Sequence, residues 1–179
     1  MQKIFTVGEG FTVPDGTIVH PAVDAMLASR ACGTWVDDVS IALGKIPAGV
    51  TSNIHVHPVV AQVTWVLSGA LTITMKDRTT AAPYHLELTA NQSVWTQPGT
   101  FFQLSNPHRQ PCRVLYIVTP AFLFEVDAHG NVAYNDAIVL EQDWDTLARA
   151  AWKIPQLAEL HAVQHARTQA TTRMQQHAK

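Results

Sequence analysis

The 179-residue chain predicts an all-β fold, an antiparallel sandwich or barrel, followed by a helical tail. Three observations predict it. Short runs rich in β-branched and aromatic residues recur at roughly ten-residue spacing between Thr34 and Thr119. Turn residues separate these runs, and no helical periodicity intervenes as βαβ units would require. From Asp143 onward the apolar spacing changes to that of a helix.

Residues 1–33 read as an N-terminal extension: a short strand, the turn Pro14-Asp15-Gly16-Thr17, and a helix over Pro21 to Arg30 with Val23, Met26 and Leu27 at helical spacing. Residues 34–142 read as the barrel. Its strands are expected at Trp35–Ile46, Ile54–Val56, Gln62–Leu67, Ala70–Met75, His85–Leu88, Ser93–Thr96, Phe101–Ser105 and Arg113–Val118. Pro47-Ala48-Gly49, Ser68-Gly69, Pro98-Gly99 and Asn106-Pro107 supply turns between them. Leu71, Ile73 and Met75 share one face, the alternation of a half-buried strand. Ala121–Val126 and Val132–Tyr134 flank Asp127-Ala128-His129-Gly130-Asn131 as a hairpin, and Ala137–Leu140 is a further apolar run. Residues 143–179 form the tail. Asp143 is placed as N-cap of a helix from Trp144 to Lys153, and Pro155 opens a second helix whose stripe is Leu157, Leu160, Val163, Ala166, Ala170 and Met174. Its last dozen residues are expected to fray or to lie against a partner. No repeat or low-complexity linker divides the chain, which reads as one domain.

Composition narrows the function classes. A formal net charge of -2, from 12 basic and 14 acidic residues, creates no field for gathering phosphates, so nucleic acid is not an expected partner. No run approaches the roughly 18 to 20 apolar residues of a membrane helix, and the first residues lack a signal-like core. A cytoplasmic protein without a membrane partner is expected. Cys32 and Cys112 belong to no CxxC pair and read as small apolar residues. Nine histidines stand out in a chain that is only 15% charged.

Two of them are gathered by spacing. His55 and His57 alternate along a strand and so face the same side, close enough for two imidazoles to meet one ion. Gln62 begins the next strand and can project into the same space, where its amide oxygen is a weak ligand. Alone, an HxH pattern is more often surface or satisfied core. The flanking glycines add to it, because Gly49-x5-His55-x-His57-x4-Gln62-x6-Gly69 resembles the first motif of the cupin superfamily, G-x5-H-x-H-x(3,4)-E-x6-G, with Gln62 in the glutamate position. The second motif, G-x5-P-x-G-x2-H-x3-N, is degraded. Gln92 takes the first glycine position, Pro98 is in place, Gly99 is one residue early, Gln103 falls at the third histidine and Asn106 one residue short of the asparagine.

The resemblance spans Trp35 to Thr119 and implies a jelly-roll-like double-sheet barrel with a site at its mouth. It also implies a divalent metal ion (zinc, iron, manganese or nickel) held by His55, His57, Gln62 and Gln103, with His108 competing for the last place from a loop. Such a ligand set carries no charge, so the ion would act as a Lewis acid on a small oxygenated metabolite, in an isomerase, cyclase or lyase reaction. An iron-dependent dioxygenase and a non-catalytic small-molecule binding cupin are the alternatives. A homodimer is expected from the habit of small cupins.

Other chemistry-bearing residues have bland readings. Tyr84, His85, Tyr116, Glu125 and Tyr134 are proton-carrier candidates for which a structural hydrogen bond or simple exposure is the better expectation. Trp35, Trp65, Trp95, Phe101 and Phe102 would line a pocket or fill the core. His161 and His165, four apart on the tail helix, read as a solvated face, and Asp37-Asp38 as a bulge or edge.

Overall fold

A computed structural model of the protein describes residues 6–13, 15–23, 39–77, 82–140, 143–149 and 157–177. The strands run in chain order as β1 (Phe11–Thr12), β2 (Ile18–Val23), β3 (Ser40–Ile46), β4 (Ile54–Val56), β5 (Ala61–Ser68), β6 (Ala70–Lys76) and β7 (Tyr84–Thr89). They continue as β8 (Ser93–Thr96), β9 (Phe101–Ser105), β10 (Cys112–Thr119), β11 (Phe124–Val126), β12 (Val132–Asn135) and β13 (Ile138–Leu140), before helices α1 (Trp144–Arg149) and α2 (Leu157–His177).

Alternating apolar side chains dictate a sheet with one buried face, and two such sheets satisfy each other. One is six-stranded in the order β1-β2-β3-β10-β5-β8; the other is five-stranded, β13-β4-β9-β6-β7; a small β11-β12 ribbon completes the set. Strand pairing is antiparallel throughout. Val66, Cys112 and Val114 of the first sheet share one core with Leu71, Ile73, Met75, Phe102 and Leu104 of the second. This is the double-sheet barrel architecture expected from the strand pattern.

Local chemistry explains the tightest connection. Gly69 joins β5 to β6 at a φ of 85°, and a Cβ there would meet the Pro111 carbonyl oxygen at 2.9 Å. Only glycine fits that turn. Asn106 performs the second local task. Fully buried, it donates from Nδ2 to the carbonyls of Ile46 and Gln110 at 3.0 and 2.8 Å, and its Oδ1 accepts from the His108 amide at 3.1 Å.

Several expectations shift. Pro21 to Val23 are strand, paired in β2 against Ala42 and Ile41, because β3 offers that short segment a strand to pair with. The rest of the expected Pro21–Arg30 helix, Cys32, Trp35 to Asp38, and the junction from Ala150 through Pro155 lie outside the described residues. The end of α2 lies against this chain's own later hairpin. Ala170 and Met174 bury against Ala121, Leu123 and Tyr134. Arg167 fixes the contact: its Nε donates to Asp136 Oδ1 at 3.1 Å and its Nη2 to the Ala121 carbonyl. Asp136 also accepts from Tyr134 Oη and from the Leu123 amide, each at 2.7 Å. Asp143 caps α1 as expected, accepting from the Thr146 amide at 2.7 Å.

An Asn106→Ala substitution removes three hydrogen bonds, among them the buried one to the Ile46 carbonyl. Urea unfolding is expected to show a loss of about 2 to 4 kcal/mol. A loss below about 0.5 kcal/mol would show that the buried amide does not secure these loops.

Candidate functional site

The sheets enclose a cavity of about 510 Å³. His55, His57 and Gln62 all line it, His55 from β4, His57 from the residue just past its end and Gln62 from the start of β5. The imidazole centroids are 5.5 Å apart. All three side chains are buried.

His55 Nδ1 lies 3.1 Å from the Asn53 carbonyl, which only accepts, so this nitrogen carries the proton and Nε2 keeps its lone pair. Burial lowers the pKa of His55, opposed by the Asp15 carboxylate and by the Asn53 hydrogen bond. His57 is held well below the usual histidine range by burial and then by its neighbour His55. Both rings are therefore neutral imidazoles. Gln62 donates from Nε2 to Thr64 Oγ1 at 3.0 Å.

Gln103 is elsewhere. It sits on the opposite face of β9, donating to the Ser52 carbonyl and accepting from Trp144 Nε1, each at 2.7 Å, and it does not line the cavity. Phe102 takes the inward place. Its ring centroid lies 3.9 Å from that of His55 and 5.2 Å from that of His57. The turn before β9 is one residue shorter than the pattern anchored on Pro98 assumes. Counted from Gly99 and Asn106 instead, the segment reads G-x2-F-x3-N, with Phe102 at the third-histidine position.

Tyr116 and Asp15, outside the expected ligand set, also line the cavity. Tyr116 enters from β10, its ring packed where Gly44 of β3 leaves room that a Cβ would take away. Burial, then the nearby Asp15 carboxylate, pushes its phenol far above the usual range; Thr17 opposes weakly. Asp15 enters from the β1-β2 turn. Its Oδ1 accepts from the Thr17 amide and hydroxyl, each at 2.9 Å, and its Oδ2 is 3.8 Å from His55 Nε2. Among the described residues, three buried side-chain polar atoms lack a hydrogen-bond partner: His57 Nδ1, Tyr116 Oη and Thr96 Oγ1. The first two belong to residues lining the cavity.

Residues 42–118 match the model of the cupin domain family. The chain carries a cupin domain. No curated protein matches its sequence. Among solved structures, a recombinant oxalate oxidase in complex with glycolate superposes with a TM-score of 0.53 at 17% identity, covering 67% of this chain and 59% of that one. An oxalate decarboxylase formate complex from Lactobacillus farciminis gives 0.53 at 14% identity, covering 74% of this chain and 33% of the other. KdgF from Halomonas sp. gives 0.52 at 13% identity, covering 67% and 94%. At these identities the likeness establishes the fold, and this chain spans 59% of the length of the oxalate oxidase chain.

The cupin four-ligand centre does not fit these residues. Gln62 replaces the carboxylate, Phe102 fills the third imidazole position, and Gln103 faces away. Among the described residues no three His, Cys, Asp or Glu side chains converge to hold an ion.

The remaining candidates have structural roles. His108 is exposed on its loop, and its backbone is held by Asn106. Tyr84 donates to Asp77, His85 bonds Thr74, Glu125 pairs with Arg173, and Tyr134 donates to Asp136. His161 and His165 are exposed on α2. Trp65 and Trp95 face outward, 43% and 68% exposed, while Phe101 and Phe102 are core. The aromatic cavity walls are instead Phe11, Phe122 and Phe124. Burial raises the Cys112 thiol to about 11, which makes it inert as a nucleophile.

The two lowered histidines set a pH dependence. Unfolded histidine titrates near 6.5 and these two titrate lower when folded, so the unfolded chain binds more protons below that pH. Stability is expected to be full above about pH 6.5 and to fall on acidification by up to about 1.4 kcal/mol per pH unit for each histidine. Melting temperatures from pH 7.5 to 5.0 check this, with a shallower fall for His57→Gln.

Proposed function

We propose that the protein binds a small, predominantly apolar molecule in the barrel cavity and holds its polar end against His55, His57, Gln62 and Tyr116. One observation carries the reading: two buried polar atoms, His57 Nδ1 and Tyr116 Oη, lack partners in residues that line a predominantly apolar cavity. Unsatisfied buried groups cost roughly 1 to 3 kcal/mol each, which a ligand's polar end recovers. Among the described residues no lysine or arginine lines the cavity, so none of them offers a cation to a small dianion such as oxalate, whereas Phe11, Phe122 and Phe124 suit a hydrocarbon or aromatic body.

A second reading keeps a divalent ion, zinc, iron, manganese or nickel, on His55, His57 and Gln62 as a Lewis acid. The His55 tautomer supports it, because the Nδ1 bond to Asn53 leaves Nε2 available as a donor to metal. Elemental analysis of protein purified without added metal separates the readings. Close to one equivalent, lost in His57→Ala, favours the ion; less than about a tenth, not restored by adding these metals, removes it. Oxygen consumption distinguishes an iron dioxygenase.

For the binding reading, a thermal-shift panel sets apolar molecules bearing one polar group against oxalate and glycolate. A ligand near one hundred times its Kd is expected to raise the melting temperature by about 5 to 10 °C. The reading fails if no apolar member shifts the transition, or if His57→Phe leaves every shift unchanged.

A further inference from the structure

We infer that Asp15 turns the polar end of the cavity into a cation site, and that the ligand is an apolar amine whose protonated nitrogen sits between Asp15 Oδ2 and His55 Nε2. This inference rests on the reading of the cavity as a small-molecule site. It begins from a mismatch in hydrogen bonding. His55 carries its proton on Nδ1, directed at the Asn53 carbonyl, so Nε2 is an acceptor. Asp15 spends Oδ1 on the two donors of Thr17 and turns Oδ2 toward that nitrogen. The separation is 3.8 Å, beyond a hydrogen bond. Two acceptors thus confront each other with no donor between them.

An ammonium nitrogen about 2.8 Å from each closes the gap and satisfies both acceptors at once. A hydroxyl has one hydrogen and satisfies one acceptor only. Charge points the same way. Among the described residues the charged side chains lining the cavity are Asp15 and Glu9, both acidic. The aromatic walls add ring faces, which attract cations and accept an apolar body. Asp15 is held for this task by backbone as well: its carbonyl accepts from the Asn53 amide at 2.9 Å, tying the β1-β2 turn to the residue that sets the His55 tautomer.

The test is isothermal titration of chelator-treated protein at pH 7.5 with phenethylamine, 2-phenylethanol and ethylbenzene. Phenethylamine is expected to bind at least tenfold tighter than the alcohol, and Asp15→Asn to abolish that preference. Thr17→Val, which keeps the carboxylate, is expected to keep the preference. Equal affinities for amine and alcohol overturn the inference and leave the cavity reading standing. If none of the three probes binds, the cavity reading itself fails. An amine preference that appears only after adding zinc or manganese assigns the cation to a metal and also overturns the inference. The wild-type ratio alone decides the matter should Asp15→Asn not fold.

Discussion

The register of β4 against β9, with His55 opposite Phe102, is the constraint on which the cavity depends. Side chains alternate along a strand, so that one pairing decides that Phe102 and Leu104 point inward and that Gln103 points out. Phe102 then packs on both imidazoles and is wholly buried, removing the space a third donor would need. Burial of His55 and His57 among apolar neighbours keeps them neutral, which makes them hydrogen-bonding groups for a ligand at ordinary pH. Architecture and chemistry are therefore set by the same strand pair.

Both ends of the chain complete what the barrel leaves open. The β1-β2 hairpin extends the six-stranded sheet past β3 and delivers Phe11, Val13, Asp15 and Val19 to the cavity wall. From the other end, β13 pairs with β4, setting Val139 opposite His55 on the cavity wall, and Met174 of α2 reaches the cavity. The helix is not held by its apolar stripe alone. Arg167 and Asp136 are joined through a buried network that includes Tyr134 and two backbone groups, so removing either charge would leave its partner desolvated.

Much of the barrel was legible because strands of this kind announce themselves. Ser93–Thr96 and Phe101–Ser105 have the bounds read from the turn residues, and Leu71, Ile73 and Met75 share the buried face expected of them. His55, His57 and Gln62 were legible for the same reason, since parity and glycine spacing suffice to put them on one side. Gln103 was misplaced because Pro98 and Gly99 give two registers that differ by one residue. The tie is broken by the buried hydrogen bonds of Asn106, which anchor the far end of β9. Asp15 read only as a turn residue, and nothing nearby in sequence linked it to His55.

By itself the sequence determined the antiparallel class, the two histidines on one face, and the neutrality of the expected ligand set, because each follows from local periodicity and residue type. The tertiary structure alone decided that an aromatic ring fills the third ligand position and that a carboxylate arrives from far upstream. Those outcomes depend on strand register and on contacts between distant segments, and the free energy that selects them is the burial of one shared core rather than any property of the local chain.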